Sequence, residues 1–235
     1  MRCASTGLLA VGLVTGCLES PPGSSADPDL LAGFRFEEQT GFLTDSSGHG
    51  HDATCADVTC PQPTIARDDV SGAAMFDGGD DQIVVDPVGA GPFTVMLWLR
   101  MDQAPVGAAC PVSKVFGAAG GNSWQLCMSV PSPGQVSLAL WTTDDPALVG
   151  LDLPMELGSW HHAALRWDGT DKTLWWDGLE RACGTGITRF DTGNVLVGAD
   201  VDGGDPLAYF AGAIDDVEIH DSALDPGEIA VAAGL

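Results

Sequence analysis

Positive charge is scarce in this chain of 235 residues: nine Lys and Arg stand against 33 Asp and Glu, for a net charge of −24. A nucleic-acid binder needs a basic footprint to displace counterions from phosphates, and this chain has none. A basic helix lying on a membrane surface is excluded for the same reason. Long apolar runs are missing too, so no segment reaches the ~20 residues of a membrane-spanning helix. Paired Cys-x-x-Cys motifs are absent, which argues against a structural zinc site. No Gly-x-Ser-x-Gly elbow occurs, and no Cys–His pairing has supporting context, so nucleophilic catalysis has no candidate.

What is present points to turns and strands. Hydrophobic residues make up 45% of the chain, enough to bury a core, and Gly (31) and Pro (15) are plentiful. The acid is mostly Asp, which favours turns and hard-cation sites over helices. Residues 1–16 read as an export signal: Met1 and Arg2 precede an apolar stretch, Gly7–Val14, that is too short to span a bilayer. Val14-Thr15-Gly16-Cys17 resembles a bacterial lipobox, with Cys17 as the lipid-bearing residue. Residues 17–29 have a Pro-, Ser- and Asp-rich composition that reads as a flexible tether. Leu18 in place of Asp departs from the inner-membrane retention pattern of such lipoproteins, so the resemblance implies the outer membrane.

An exported chain permits disulfides. Cys55 and Cys60 bracket a four-residue loop and are expected to close it. Cys110 and Cys127 flank a Gly-rich turn and are expected to face each other across a hairpin. That leaves Cys183 as a free thiol.

From Leu30 onward, short apolar or alternating runs recur between Gly, Asp and Pro. They predict strands at Gly33–Glu37, Gln82–Asp86, Phe93–Met101, Trp124–Val130, Val136–Thr142, Trp160–Trp167, Thr173–Trp176, Val195–Gly198 and Ala213–His220. Asp77-Gly78, Asp168-Gly169 and Asp177-Gly178 suit tight hairpins. One helix is expected at Glu228–Ala233, capped by Ser222. The expectation is an all-β, two-sheet antiparallel sandwich with a short C-terminal helix, filling residues 30–235 as one domain.

The order of these blocks is specific. It runs Phe34-Arg35-Phe36-Glu37, Asp45-Ser46-Ser47-Gly48, Ala74-Met75-Phe76-Asp77-Gly78, Phe93–Leu99, Gly158-Ser159-Trp160-His161, Leu174–Gly178 and Phe210–His220. Together these resemble a LamG-like jelly roll of the concanavalin A-like lectin/glucanase superfamily. The resemblance implies two face-to-face antiparallel sheets, and a binding module for carbohydrate or a protein partner; a scaffold domain of the envelope is the alternative, and a divergent glycoside hydrolase a further one. It also implies a structural calcium, carried here by Asp45, a carbonyl near Gly50, and Asp215. The glucanase pattern Glu-x-Asp-x-x-Glu is missing at all seven Glu, so no catalytic residues are assigned.

Seven Trp invite a carbohydrate reading, because sugar faces stack on indole. Trp175 and Trp176 are strand neighbours that must face opposite ways, so one of them is expected to meet solvent or ligand. The same divergence makes His161-His162 a structural pair rather than a zinc site, and His49-x-His51 sits in a Gly-rich loop.

Overall fold

The structure, a computed structural model, describes residues 29–37, 41–117, 121–143, 149–202 and 204–235. The signal segment, Cys17 and nearly all of the tether lie outside these residues. The described chain begins with β1 (Leu30–Phe34), β2 (Gln62–Ile65), β3 (Gly72–Asp77), β4 (Ile83–Val85) and β5 (Phe93–Met101). Next come β6 (Ala108–Phe116), β7 (Gly121–Ser129), β8 (Gln135–Thr142), β9 (Val149–Pro154) and β10 (Trp160–Trp167). It closes with β11 (Asp171–Trp176), β12 (Leu179–Thr185), β13 (Val195–Val197), β14 (Asp200–Asp202), β15 (Asp205–Leu207), β16 (Ala211–His220) and α1 (Pro226–Ala232).

One sheet runs β12-β11-β10-β5-β16-β3-β2, with β1 pairing the far half of β16; a second runs β4-β13-β6-β7-β8-β9. All the pairings are antiparallel. Strand alternation makes the core. Phe93, Val95, Leu97, Leu99 and Met101 of β5 face inward, as do Trp124, Leu126 and Met128 of β7, and Val136, Leu138 and Leu140 of β8. The expected sandwich is therefore present.

The outer face of the larger sheet has a second, smaller apolar cluster, because helix α1 lies on it. Leu224 and Ile229 pack on Met96, Ala164 and Trp175. The helix is capped by Asp225 rather than by Ser222. Asp225 accepts hydrogen bonds from the N–H groups of Gly227 and Glu228, and Glu228 reaches back to the Asp225 N–H. The Ser222 hydroxyl instead donates to Asp29.

Of the three Asp-Gly pairs, Asp177-Gly178 alone makes a two-residue hairpin, both residues holding positive φ (50° and 72°) between β11 and β12. Asp168-Gly169 falls in a three-residue loop in which the Asp168 carboxylate accepts from the N–H of Thr170 and Asp171. Strand β1 starts earlier and ends earlier than expected, because Phe36 takes φ 51° and breaks it. Strands β2, β3, β6, β9, β12, β14 and β15 had no expectation from sequence. β6 carries Pro111 at a register break between Ala109 and Val112, which hid it.

Cys55–Cys60 and Cys110–Cys127 are disulfides, as expected. Cys183 is not the expected free thiol: it is disulfide-bonded.

Candidate ligand-binding face

The seven Trp separate by what covers them. Trp124, Trp167 and Trp176 lie in the core between the sheets. Trp175 lies under helix α1 and donates its indole N–H to the Thr173 hydroxyl at 2.8 Å. Trp175 and Trp176 do face opposite ways, but each is only 5% exposed, so neither offers the ligand contact expected of the pair. The outward one failed because the helix occupies its side of the sheet. Trp98 is covered by the Arg67 guanidinium, 4.4 Å above its ring, and Trp160 by that of Arg100 at 5.3 Å.

Trp141 is different. The alternation in β8 that sends Val136, Leu138 and Leu140 into the core sends Trp141 to the outer face of the smaller sheet. It is 37% exposed, and no aromatic or cationic side chain stacks on it among the described residues. Gln125 of β7 lies directly opposite, with Ser113 of β6 beyond. The next outward row is Cys127, Ala139 and Gly150, and the one after is Ser129, Ser137 and Asp152. At ~3.3 Å per residue, the strip from Trp141 to Ser137 is ~13 Å long. Small residues floor its middle, an indole stands at one end, and hydroxyls with a carboxylate stand at the other.

A polar network borders the indole end. The Asn122 amide donates to Gln125 Oε1 and, at 3.3 Å, to Asp200 Oδ2. The Thr143 hydroxyl donates to the Asn122 carbonyl at 2.7 Å. The face thus sets an exposed apolar ring beside side-chain amides, a pairing of apolar and polar groups that a binding site uses. The exposed indole was legible in the alternation of Val136–Thr142. Asn122 and Asp200 were not: Asn122 lies past a register break in the β6–β7 pairing, and Asp200 comes from β14, 78 residues along the chain.

The outer face of the larger sheet is closed by its own charges. Asp215, Trp98 and His162 form one row across β16, β5 and β10. Arg67 bonds Asp215 and Asp216, both at 2.8 Å. A bulge after Asp215, with Asp216 at φ 44°, keeps Ile214 and Val217 in the core and sends Asp215 outward. Burial, with the like charge of Asp216, pushes the Asp215 carboxyl up to about 7 despite Arg67. Burial likewise pushes the His162 imidazole down to about 4. His161 behaves as the expected structural residue, stacked on Trp176 and 3.0 Å from the Asp177 carboxylate.

The residues proposed for calcium have other partners. The Asp45 carboxylate accepts from the N–H groups of Gly33, Ser47 and His51 and from the Ser47 hydroxyl. Burial works against its charge, but these four bonds prevail and hold its pKa low. Asp215 already faces a guanidinium, and Gly50 sits at φ 81° in the exposed loop. Asp45 is thus occupied by four protein donors and Asp215 by Arg67 and the Asp216 N–H, an arrangement that does not fit a cation that wants free oxygens. The carboxylates that do converge among the described residues are Asp77, Asp80 and Asp81, in the β3–β4 turn. They adjoin a cavity of about 260 Å³ lined by Met101, Gln103, Ala208 and Tyr209.

Comparison with known proteins fits this architecture. No curated protein matches the chain by sequence. Among solved structures, domain 4 of AbnA, a GH43 extracellular arabinanase from Geobacillus stearothermophilus in complex with arabinotriose, superposes with a TM-score of 0.64 at 21% identity, covering 87% of this chain and 98% of that one. The native heptameric SAP-like pentraxin from Limulus polyphemus gives 0.56 at 20% identity, over 68% and 80%. The receptor binding domain of botulinum neurotoxin D gives 0.64 at 11% identity, over 89% and 53%. At these identities the likeness is one of fold. The Laminin_G_3 family model matches residues 77–230, more than half of the sequence, and the chain therefore belongs to that family of the concanavalin A-like lectin/glucanases superfamily.

Proposed function

We propose that this chain is a non-catalytic binding module that holds a carbohydrate on the outer face of its smaller sheet. The observation that carries the reading is Trp141, the one indole left uncovered while six others are buried, capped by a cation or packed under a helix. Members of this superfold host many functions, so the argument rests on the face and not on the fold. The arabinotriose complex of the arabinanase domain supports a sugar ligand; the toxin receptor-binding domain supports the broader class of binding module. Hydrolysis needs two carboxylates flanking the scissile bond, and the absence of the Glu-x-Asp-x-x-Glu pattern from the sequence supports a non-catalytic reading. We place the module at the outer membrane through Cys17, on the strength of the lipobox-like sequence and the tether behind it.

The test is a glycan array probed with wild type and Trp141→Ala, followed by calorimetric titration of arabinotriose. Retention of glycans by wild type and its loss in the variant support the reading. A wild type that retains no glycan, or a variant that binds as wild type does, overturns it; capture of a protein receptor alone would favour the protein-partner alternative.

A further inference from the structure

We propose that Asp200, Asn122 and Gln125 form a relay that fixes the hydrogen-bond polarity of the subsite on Trp141, so that Gln125 presents N–H donors and the subsite takes neutral glycans. This rests on the reading that Trp141 carries the ligand.

The argument is one of elimination. A carboxylate only accepts hydrogen bonds. Asp200 Oδ2 lies 3.3 Å from the Asn122 side-chain amide, so the nitrogen of that amide must face it. The same Asn122 nitrogen faces the Gln125 side chain, which must therefore turn its oxygen, Oε1, toward Asn122. Gln125 Nε2 is left as the free end of that amide, on the residue directly opposite Trp141. Its two N–H groups can only donate. The orientation has a visible cost: Asn122 Oδ1 is buried with no hydrogen-bond partner. Turning the amide over would not relieve it, because Oδ1 would then meet the Asp200 carboxylate and the Gln125 oxygen. A buried acceptor kept unsatisfied to hold a neighbour in one orientation is expected where that orientation is used.

The charge of the surroundings selects the ligand further. The chain carries −24, and Asp152 and Asp200 border this face. Anionic glycans are repelled from such a surface. A donor amide beside an indole, in an acidic field, suits the hydroxyl and ring oxygens of an uncharged sugar.

Gln125 would touch the ligand; Asn122 and Asp200 act through it as positioning residues. The experiment is calorimetric titration of arabinotriose, and of trigalacturonate as its anionic counterpart, into wild type, Trp141→Ala, Gln125→Glu and Asp200→Asn. Thermal melts check that each variant folds. Gln125→Glu keeps shape but replaces the donor with an acceptor, and should weaken arabinotriose binding about tenfold. Asp200→Asn frees Asn122 to turn and should weaken it by about threefold. A residue that merely held the fold would leave the Gln125 side-chain N–H signals in place; Asp200→Asn should shift them in the free protein. Trigalacturonate should bind at least about tenfold more weakly than arabinotriose. Binding that is lost in Trp141→Ala but kept within about twofold in Gln125→Glu overturns the relay and leaves the Trp141 reading standing. Equal affinity for the two trisaccharides overturns the selection for neutral glycans, and a wild type that binds neither overturns both readings.

Discussion

Replacing Asp215 by Asn should change how stability depends on pH, in a direction fixed by its surroundings. Asp215 is 2% exposed, and burial with Asp216 beside it raises its pKa from 3.8 to about 7 in the folded state. The unfolded chain keeps the ordinary value. Between those two pH values the folded protein holds a proton that the unfolded chain has lost. The contribution of Asp215 to stability is therefore complete below about pH 4 and is lost as pH rises through 7. A separation of about three pK units at 1.36 kcal/mol each sets an upper bound of about 4 kcal/mol on that loss. For a domain of this size, 1 kcal/mol moves Tm by about 2–4 °C, so the wild type should lose roughly 6–12 °C relative to Asp215→Asn between pH 4.5 and 8. Taking the difference between the two proteins cancels the titration of the other carboxylates. Arg67→Ala supplies a second arm: it strips the counter-charge from Asp215, so its penalty should be larger at pH 8, where the carboxylate is ionised, than at pH 5. Thermal or urea unfolding across the pH range measures both. A wild-type minus Asp215→Asn difference that is flat with pH, or that grows in favour of wild type as pH rises, refutes the reasoning.

Peptide mapping without reduction should find Cys55–Cys60 and Cys110–Cys127 as linked pairs; a free thiol at any of these four positions would contradict the structure. Calcium added after EDTA should produce no rise in Tm that depends on Asp45 or Asp215, since protein donors already hold both carboxylates. A rise of roughly 6–12 °C for ~3 kcal/mol of linkage, abolished by Asp215→Asn, would restore the metal there. Cys17→Ser should move the protein from the detergent phase to the aqueous phase if Cys17 is lipidated, and unchanged partitioning would end that proposal; a Cys17 found bonded to Cys183 would end it as well.

The sandwich was legible because its central strands announce themselves by alternation. Phe93–Met101 and Val136–Thr142 each put one apolar set on one face, and that set is the core. Less was legible where pairing and not pattern decides. β12 is largely exposed and polar, and it pairs only because the Asp177-Gly178 turn folds it back on β11. The carboxylates of Asp45 and Asp215 looked alike as calcium ligands, but their fates depend on what the tertiary fold brings to them: three N–H groups and a hydroxyl in one case, Arg67 from a hairpin 148 residues away in the other. Trp175 and Trp176 illustrate the same limit. Alternation tells that neighbours diverge, but not that helix α1 waits on the far side. Trp141 could have been singled out by the parity rule that placed Val136, Leu138 and Leu140 inside; what made it distinctive, the covering of the other six indoles, exists only in three dimensions.

The most direct test of the binding-face account is amide shift mapping of the labelled protein as arabinotriose is added. Shifts should concentrate on Asn122–Cys127 and Ser137–Thr142, on the outer face around Trp141, and should vanish in Trp141→Ala. Shifts centred instead on the cavity lined by Gln103 and Tyr209, or on the Arg67–Trp98 face, would contradict the account.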